Sequence, residues 1–193
     1  MVIALGANLP WQGQSPEQTL FDAAASLKRS GLLHDLRLSR LWRSAPVNAL
    51  GPEFVNAALV AESAHSPGEL LTLLMTTERA FGRDRQSPGP SSQPPNQPPS
   101  QLPNQLPNQP TSHGLSPART LDLDLIAVGD LQHQSVELTL PHPRATQRAF
   151  VLEPLAELLP SFGLRDAHGE QASVATWLSR LSSSDRSQLH PVE

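Results

Sequence analysis

The chain has 193 residues, 38% of them apolar and 4% aromatic, and a net charge of −4. That is long enough for one domain whose core buries about 70% of its unfolded surface, and the charge argues against a general nucleic-acid binder while allowing a locally basic site. The absence of cysteine excludes a disulfide framework and thiolate catalysis. Val2-Ile3-Ala4-Leu5 follows Met1 with no basic region or long apolar run, so a cytoplasmic protein without a membrane partner is expected.

In chain order, Val2 to Leu5 reads as a short buried strand ending at the turn-rich Gly6-Ala7-Asn8-Leu9-Pro10. Ser15-Pro16-Glu17-Gln18 then has the form of a helix start, with Ser as N-cap, Pro at N1 and Gln at N3. Leu20, Phe21, Ala24 and Leu27 follow at helical spacing, and Gly31 is a plausible stop. Lys28 is the only lysine and precedes Arg29, which closes the Gly-Lys-Ser/Thr phosphate-loop route to ATP. His34 to Ser44 reads as a strand whose register shifts through a bulge. Glu53 to Ser63 reads as a second strand, with Phe54, Asn56, Ala58 and Val60 on one side and Val55, Ala57, Leu59 and Ala61 on the other. Asn56 is the strongly polar residue inside that run and needs a partner, structural or ligand. Ser66-Pro67-Gly68-Glu69 repeats the capping pattern and opens a helix carrying Leu70, Leu71, Leu74, Thr77 and Phe81, closed by Gly82. Arg83 and Arg85 lie just past its end, where the helix dipole favours cations in any case.

From residue 87 to 117 the composition is almost wholly Pro, Gln, Asn and Ser. Such a segment buries too little apolar surface to offset ordering, so a long disordered, low-complexity insert is expected. Arg119-Thr120-Leu121-Asp122-Leu123-Asp124-Leu125 follows. Alternation sends three leucines to one face of a strand and two carboxylates to the other, about 6–7 Å apart. The strand runs on into Ile126-Ala127-Val128, so it reads as central and buried. A lone Asp-x-Asp is equally the solvent face of a half-exposed strand; buried, the pair calls for positive charge. Two hard cations about 3.5–4 Å apart would supply it while taking phosphate oxygens. Gly129-Asp130 marks a turn, Val136 to Leu140 a further strand, and Val174 to Leu181 an amphipathic helix; residues 182–193 are expected to fray. The element order predicts a single α+β domain over 1–193: a ferredoxin-like core, mainly antiparallel, with helices packed on the sheet faces.

The residues that carry chemistry are then Asp122, Asp124, His142 and the arginines 83, 85, 119, 144 and 148. Acids for hard metals beside arginines for phosphate oxygens make a phosphoryl-transfer inventory. His142, between two prolines, is either structural or a hydrogen-bond donor to phosphate.

Six segments in order carry a resemblance: Ala4-Leu5-Gly6-Ala7-Asn8-Leu9, Phe54-Val55-Asn56-Ala57-Ala58, Glu78 with Gly82-Arg83-Asp84-Arg85, Arg119 to Asp124, Leu140-Pro141-His142-Pro143-Arg144, and Arg148 to Leu155. Together they resemble the 6-hydroxymethyl-7,8-dihydropterin pyrophosphokinases of folate biosynthesis, from residue 2 to about 165. The resemblance implies transfer of pyrophosphate from ATP to the pterin hydroxymethyl group, release of AMP and two Mg2+; a monomer is expected. It implies that Asp122 and Asp124 hold the metals and that Arg83, Arg119 and His142 are catalytic. Glu78, Arg85, Leu125, Thr139, His142 and Arg148 would contact ATP; Ser44, Val47, Phe54, Asn56 and Phe150 would form the pterin pocket. The family's Trp-Gly-Pro-Arg run is here Ser116-Pro117-Ala118-Arg119, and Glu137 stands where an arginine is often found. The alternative reading is a non-catalytic pterin or nucleotide binder that uses the Pro-rich insert to dock a partner.

Overall fold

The computed structural model describes residues 1–46, 51–83 and 119–192; the insert, Val47 and Arg85 lie outside them. The chain opens with β1 (Val2–Ala7), α1 (Pro16–Arg29), β2 (His34–Leu38), β3 (Trp42–Ser44) and β4 (Phe54–Glu62). It continues through α2 (Pro67–Ala80) and β5 (Asp122–Ala127). The main sheet runs β10-β3-β4-β1-β5, with β2 also paired to β4 and β10 being Leu189–Pro191. Every pairing is antiparallel. With β2 and β3 counted as one interrupted strand, the order is fourth, first, third, second, which is the expected ferredoxin-like arrangement.

Both helix starts follow their local chemistry. The Ser15 hydroxyl accepts from the Gln18 N–H, and Ser66 and Glu69 close a full capping box. The Gln18 side chain donates to Asp22 instead of returning to the cap. One sheet face carries Ile3, Leu5, Val55, Leu59, Leu121 and Leu123 against Leu20, Leu27, Leu70 and Leu74 of α1 and α2. The opposite face is covered in part by α3 (Ala149–Leu158) and α4 (Val174–Arg180), whose Val151, Leu152, Leu155 and Trp177 meet Val2, Ala58, Val60 and Ile126. Phe21, expected on the inner face of α1, is 49% exposed. It sits about 100° around the helix from Leu20, and Ala23 takes the inner place.

The span from His34 to Ser44 is two strands rather than one. Both pair with β4, but Leu38 faces Leu59 while Trp42 faces Asn56, so one extra residue is accommodated between them. That shift is a bulge, and Ser39 fills it. Its hydroxyl accepts from the Ala58 N–H at 2.9 Å and donates to the Arg40 carbonyl at 2.7 Å.

Other expectations give way to tertiary context. Among the described residues β5 pairs only with β1, so it is an end strand, not a central one. It is buried nonetheless, because other groups satisfy its outer edge. The Leu123 N–H donates to Glu78 at 2.8 Å, and the Ile126 carbonyl accepts from the His142 N–H at 2.8 Å. The strand expected from Val136 to Leu140 shrinks to β7 (Thr139–Leu140), paired with β6 (His133–Gln134). Val136 is fully exposed at the intervening turn, which Ser135 closes onto Leu138. The tail expected to fray forms α5 (Ser183–Ser187) and then β10 on the edge of β3. Backbone pairing there needs no apolar pattern, and Val192 adds a hydrogen bond from its N–H to the Leu41 carbonyl. A ribbon of β8 (Gly163–Arg165) and β9 (Gln171–Ser173) carries the carbonyl of Leu164, which accepts from the Trp177 indole at 2.7 Å. No helix of the described residues is long and apolar enough to cross a membrane.

Replacing Ser39 by Ala strands the buried Ala58 N–H. A loss of about 1–2 kcal/mol is expected in urea denaturation, with the active-site residues undisturbed.

Candidate active site

Sheet register builds the site. Trp42, Asn56, Gly6 and Asp122 lie in one row across four strands, and Ala58, Ala4 and Asp124 lie in the next. Both rows face the side that α3 and α4 cover only in part. A Cβ added at Gly6 would stand 3.5 Å from Asn56 Oδ1 and 4.0 Å from Asp122 Cβ and from Phe54 Cδ1. The bare glycine therefore leaves a hollow in the sheet surface, bounded by an aromatic ring, an amide and a carboxylate. The Asn56 amide donates to the buried Ser44 hydroxyl at 2.9 Å, which fixes its plane.

Around Asp122 two arginines converge. Arg83 follows a Schellman end of α2: its N–H donates to the Glu78 carbonyl, and the Gly82 N–H to the Arg79 carbonyl. The Arg83 guanidinium donates to both Glu78 and Asp122. Glu78 is wholly buried and also accepts from Leu123, so one carboxylate holds α2, Arg83 and β5 together. On the other side Arg119 donates to the second Asp122 oxygen. Its Nε is buried and meets no acceptor among the described residues, leaving a donor for an anion.

Asn8, not singled out in sequence beyond its place in a motif, seats Arg119. Its Oδ1 accepts from the Arg119 N–H at 2.6 Å and its Nδ2 donates to the Pro52 carbonyl at 3.3 Å. The N–H groups of Asn8 and Leu9 both donate to the Arg119 carbonyl. The mark it carries in the sequence is that of a polar residue directly ending a buried strand.

Asp124 has Arg148 at 3.9 Å, and Arg148 also lies over the Phe150 ring at 5.4 Å. Burial and the Asp122 charge push the Asp124 carboxyl above its usual range, against the opposing fields of His142, Arg148 and Arg83. Burial pushes the His142 imidazole below its ordinary value, with Asp124 opposing and Arg148 and Arg144 adding to the effect. His142 Nδ1 accepts from the Arg144 N–H at 3.2 Å. At neutral pH the ring is therefore neutral, with the proton assigned to Nε2 as a free-standing donor.

The fold thus gathers Arg83, Arg119, Asp122, Asp124, His142, Arg148, Asn56, Ser44 and Phe54. Leu125 is not on this face; it is buried with Leu121 and Leu123 on the α1 and α2 side. Thr139 is exposed on the β6–β7 ribbon, and the Glu78 carboxylate is turned to Arg83 and the β5 backbone. Among the described residues no cluster of three acidic or histidine ligands joins the two aspartates. Two carboxylates without a fixed third ligand suit Mg2+, which keeps waters and takes phosphate oxygens. Lone pairs not used by the arginines remain on Asp122, and positive charge would relieve the raised Asp124.

An antiparallel ferredoxin-like sheet bearing two neighbouring carboxylates among converging arginines has the equipment of the phosphoryl-transfer class. The chain matches the family model described as 7,8-dihydro-6-hydroxymethylpterin-pyrophosphokinase (HPPK) over residues 2–93 and 100–160. It belongs to that family. A 2-amino-4-hydroxy-6-hydroxymethyldihydropteridine pyrophosphokinase from Synechocystis sp. is 35% identical over 127 residues, 65% of this chain and 51% of that protein. The mitochondrial folate synthesis bifunctional protein of Arabidopsis thaliana is 33% identical over 83% of this chain, which spans 24% of it. The chain therefore spans from about a quarter to about half of these relatives, but 89% of the Porphyromonas gingivalis pyrophosphokinase, at 28% identity. An HPPK-DHPS solved in complex with substrates superposes at a TM-score of 0.58 over 92% of this chain and 42% of its own, at 11% identity. That likeness concerns the fold.

Three substitutions at two positions test the electrostatics. Glu78→Ala unpairs Arg83 on one side and strands the Leu123 N–H, and should cost about 3–5 kcal/mol in urea denaturation; Glu78→Gln, which keeps an acceptor, should cost less. Asp124 binds its proton more tightly in the fold than at its ordinary value of 3.8. Its ionisation thus removes stability as pH rises from that value through the raised one. Asp124→Asn, without divalent cations, should raise Tm by about 1–2 °C at pH 7, a figure discounted for the exposed part of the side chain. Thermal melts below pH 3.8 should show no such gain.

Proposed function

We propose that this chain transfers pyrophosphate from ATP to the hydroxymethyl oxygen of 6-hydroxymethyl-7,8-dihydropterin and releases AMP, a step of folate biosynthesis. The observation that carries this is the convergence of Arg83 and Arg119 on Asp122, beside Asp124 and across Gly6 from Asn56. A flat heterocycle fits the hollow over Gly6, with Phe54 as one wall, Phe150 as the opposing ring and the Ser44-fixed Asn56 amide reading its edge. Val47 belongs to the same pocket in this reading. The hydroxymethyl group then points toward the row that holds Asp122.

In the transfer the hydroxymethyl oxygen bonds to the β-phosphorus, the bond from that phosphorus to the bridging oxygen of AMP breaks, and the hydroxyl proton passes to water. Asp122 and Asp124 would hold two Mg2+, which when bound neutralise the triphosphate and polarise it for attack. Arg119, with its Nε uncommitted, and Arg83 supply positive charge where it develops on the phosphoryl oxygens. Neutral His142 donates from Nε2 to a phosphate oxygen without adding charge, and Arg148 and Arg85 take further oxygens. Thr139 borders the nucleotide, while Glu78 and Leu125 act from beneath by fixing Arg83 and β5. The enzyme is taken to act as a monomer in this reading. Positioning and electrostatics do the work, as phosphoryl transfer requires.

AMP release from ATP and Mg2+, with and without 6-hydroxymethyl-7,8-dihydropterin, tests the proposal. Pterin-dependent AMP is expected from the wild type, with a fall of at least about 10²–10³-fold in Asp122→Asn. Pterin binding without AMP release would sink the catalytic reading in favour of a binding protein.

A further inference from the structure

The β1–α1 loop touches both the end of α2, at Gly82, and the residue that leads into β5, Arg119. Asn8 and Leu9 hold Arg119 through three hydrogen bonds. At the end of α2 stands Trp11. The six-membered ring of its indole lies flat against Gly82: a Cβ added there would fall among ring carbons Cε3, Cζ3 and Cη2. Gly82 also has φ +81°, the conformation that lets Arg83 complete the Schellman end of α2. The ring therefore occupies the side-chain face of Gly82, which is otherwise exposed, at the position that must stay both bare and left-handed for Arg83 to turn back onto Glu78 and Asp122. Trp11 is itself held by a reciprocal pair of backbone hydrogen bonds with Gln14, at 2.8 and 3.1 Å.

We propose that Trp11 is a positioning residue for the pyrophosphoryl transfer: its indole, stacked on Gly82, locks the exit from α2 so that Arg83 stays directed at Asp122. This rests on the function proposed above. Trp11 acts on the residue just before Arg83, whose guanidinium donates to Asp122. The other two tryptophans have other duties: Trp42 donates to Glu157, and Trp177 to Leu164.

Trp11→Ala and Trp11→Phe in the full chain separate this role from general support of the fold. Trp11→Ala should lower kcat by about 10–100-fold, because misplacing a transition-state group by an ångström costs that much, while KM for the pterin stays within about twofold. Amide exchange at Gly82 and Arg83 should quicken at least about tenfold, with strand amides of β1 and β4 unchanged. Trp11→Phe, which keeps a flat ring over the glycine, should recover most of both effects. Trp11→Leu is the alternative if the Ala variant does not fold, and should show the same split. An unchanged kcat, unchanged exchange at Gly82 and Arg83, or equal loss in the Phe and Ala variants would overturn the proposal. Should the wild type itself release no pterin-dependent AMP, the exchange measurement still decides whether the clamp exists, so the two failures are distinguishable.

Discussion

The structure depends on one carboxylate gripped from two directions. Asp122 receives Arg83 on one oxygen and Arg119 on the other, and those arginines stand on opposite sides of a long stretch of chain. Neither grip is local. Arg83 is aimed by the buried Glu78, and Arg119 by Asn8, so a helix end and a strand end each deliver a cation to the same strand. Buried ion pairs give little net stability when desolvation is counted, but they cost heavily when one partner is removed. That asymmetry makes Glu78 and Asp122 determinants of geometry more than of stability.

The same network resolves the position of β5. An end strand carrying two acids would ordinarily present unpaired backbone and invite misassociation. Here the outer edge is met by the Glu78 side chain and by the backbone of His142, so the strand is enclosed without a neighbouring strand. The acids consequently stand where a ligand can reach them, on a sheet rigid enough to hold their spacing. The raised Asp124 carboxyl is what that placement costs.

Much of this was legible in the sequence because it was written locally. Ser15-Pro16 and Ser66-Pro67-Gly68-Glu69 start helices by hydrogen bonds within one turn, and the alternation from Leu121 to Leu125 fixes which face the acids occupy. The motif order from Gly6 to Arg148 also identified the residues that register later brings into adjacent rows. What escaped depends on distant partners. Asn8 and Trp11 have meaning only once Arg119 and Gly82 are folded beside them. β10 is held by backbone bonds to β3, which leave no mark on side-chain pattern, and the break at Ser39 reflects a one-residue mismatch against β4 that neither segment reveals alone. Phe21 failed by the simplest route: it fits a helical period loosely, and Ala23 fits the face better.

The anchoring of both roots by the β1–α1 loop bears on how such a chain changes over generations. Leu102-Pro103-Asn104-Gln105 is followed directly by Leu106-Pro107-Asn108-Gln109, a four-residue unit in tandem. Each doubling of an inserted segment adds only about 0.6 kcal/mol of closure entropy, so length added between Gly82 and Arg119 costs little. One short loop then carries both anchor points, so a change within it reaches Arg83 and Arg119 together.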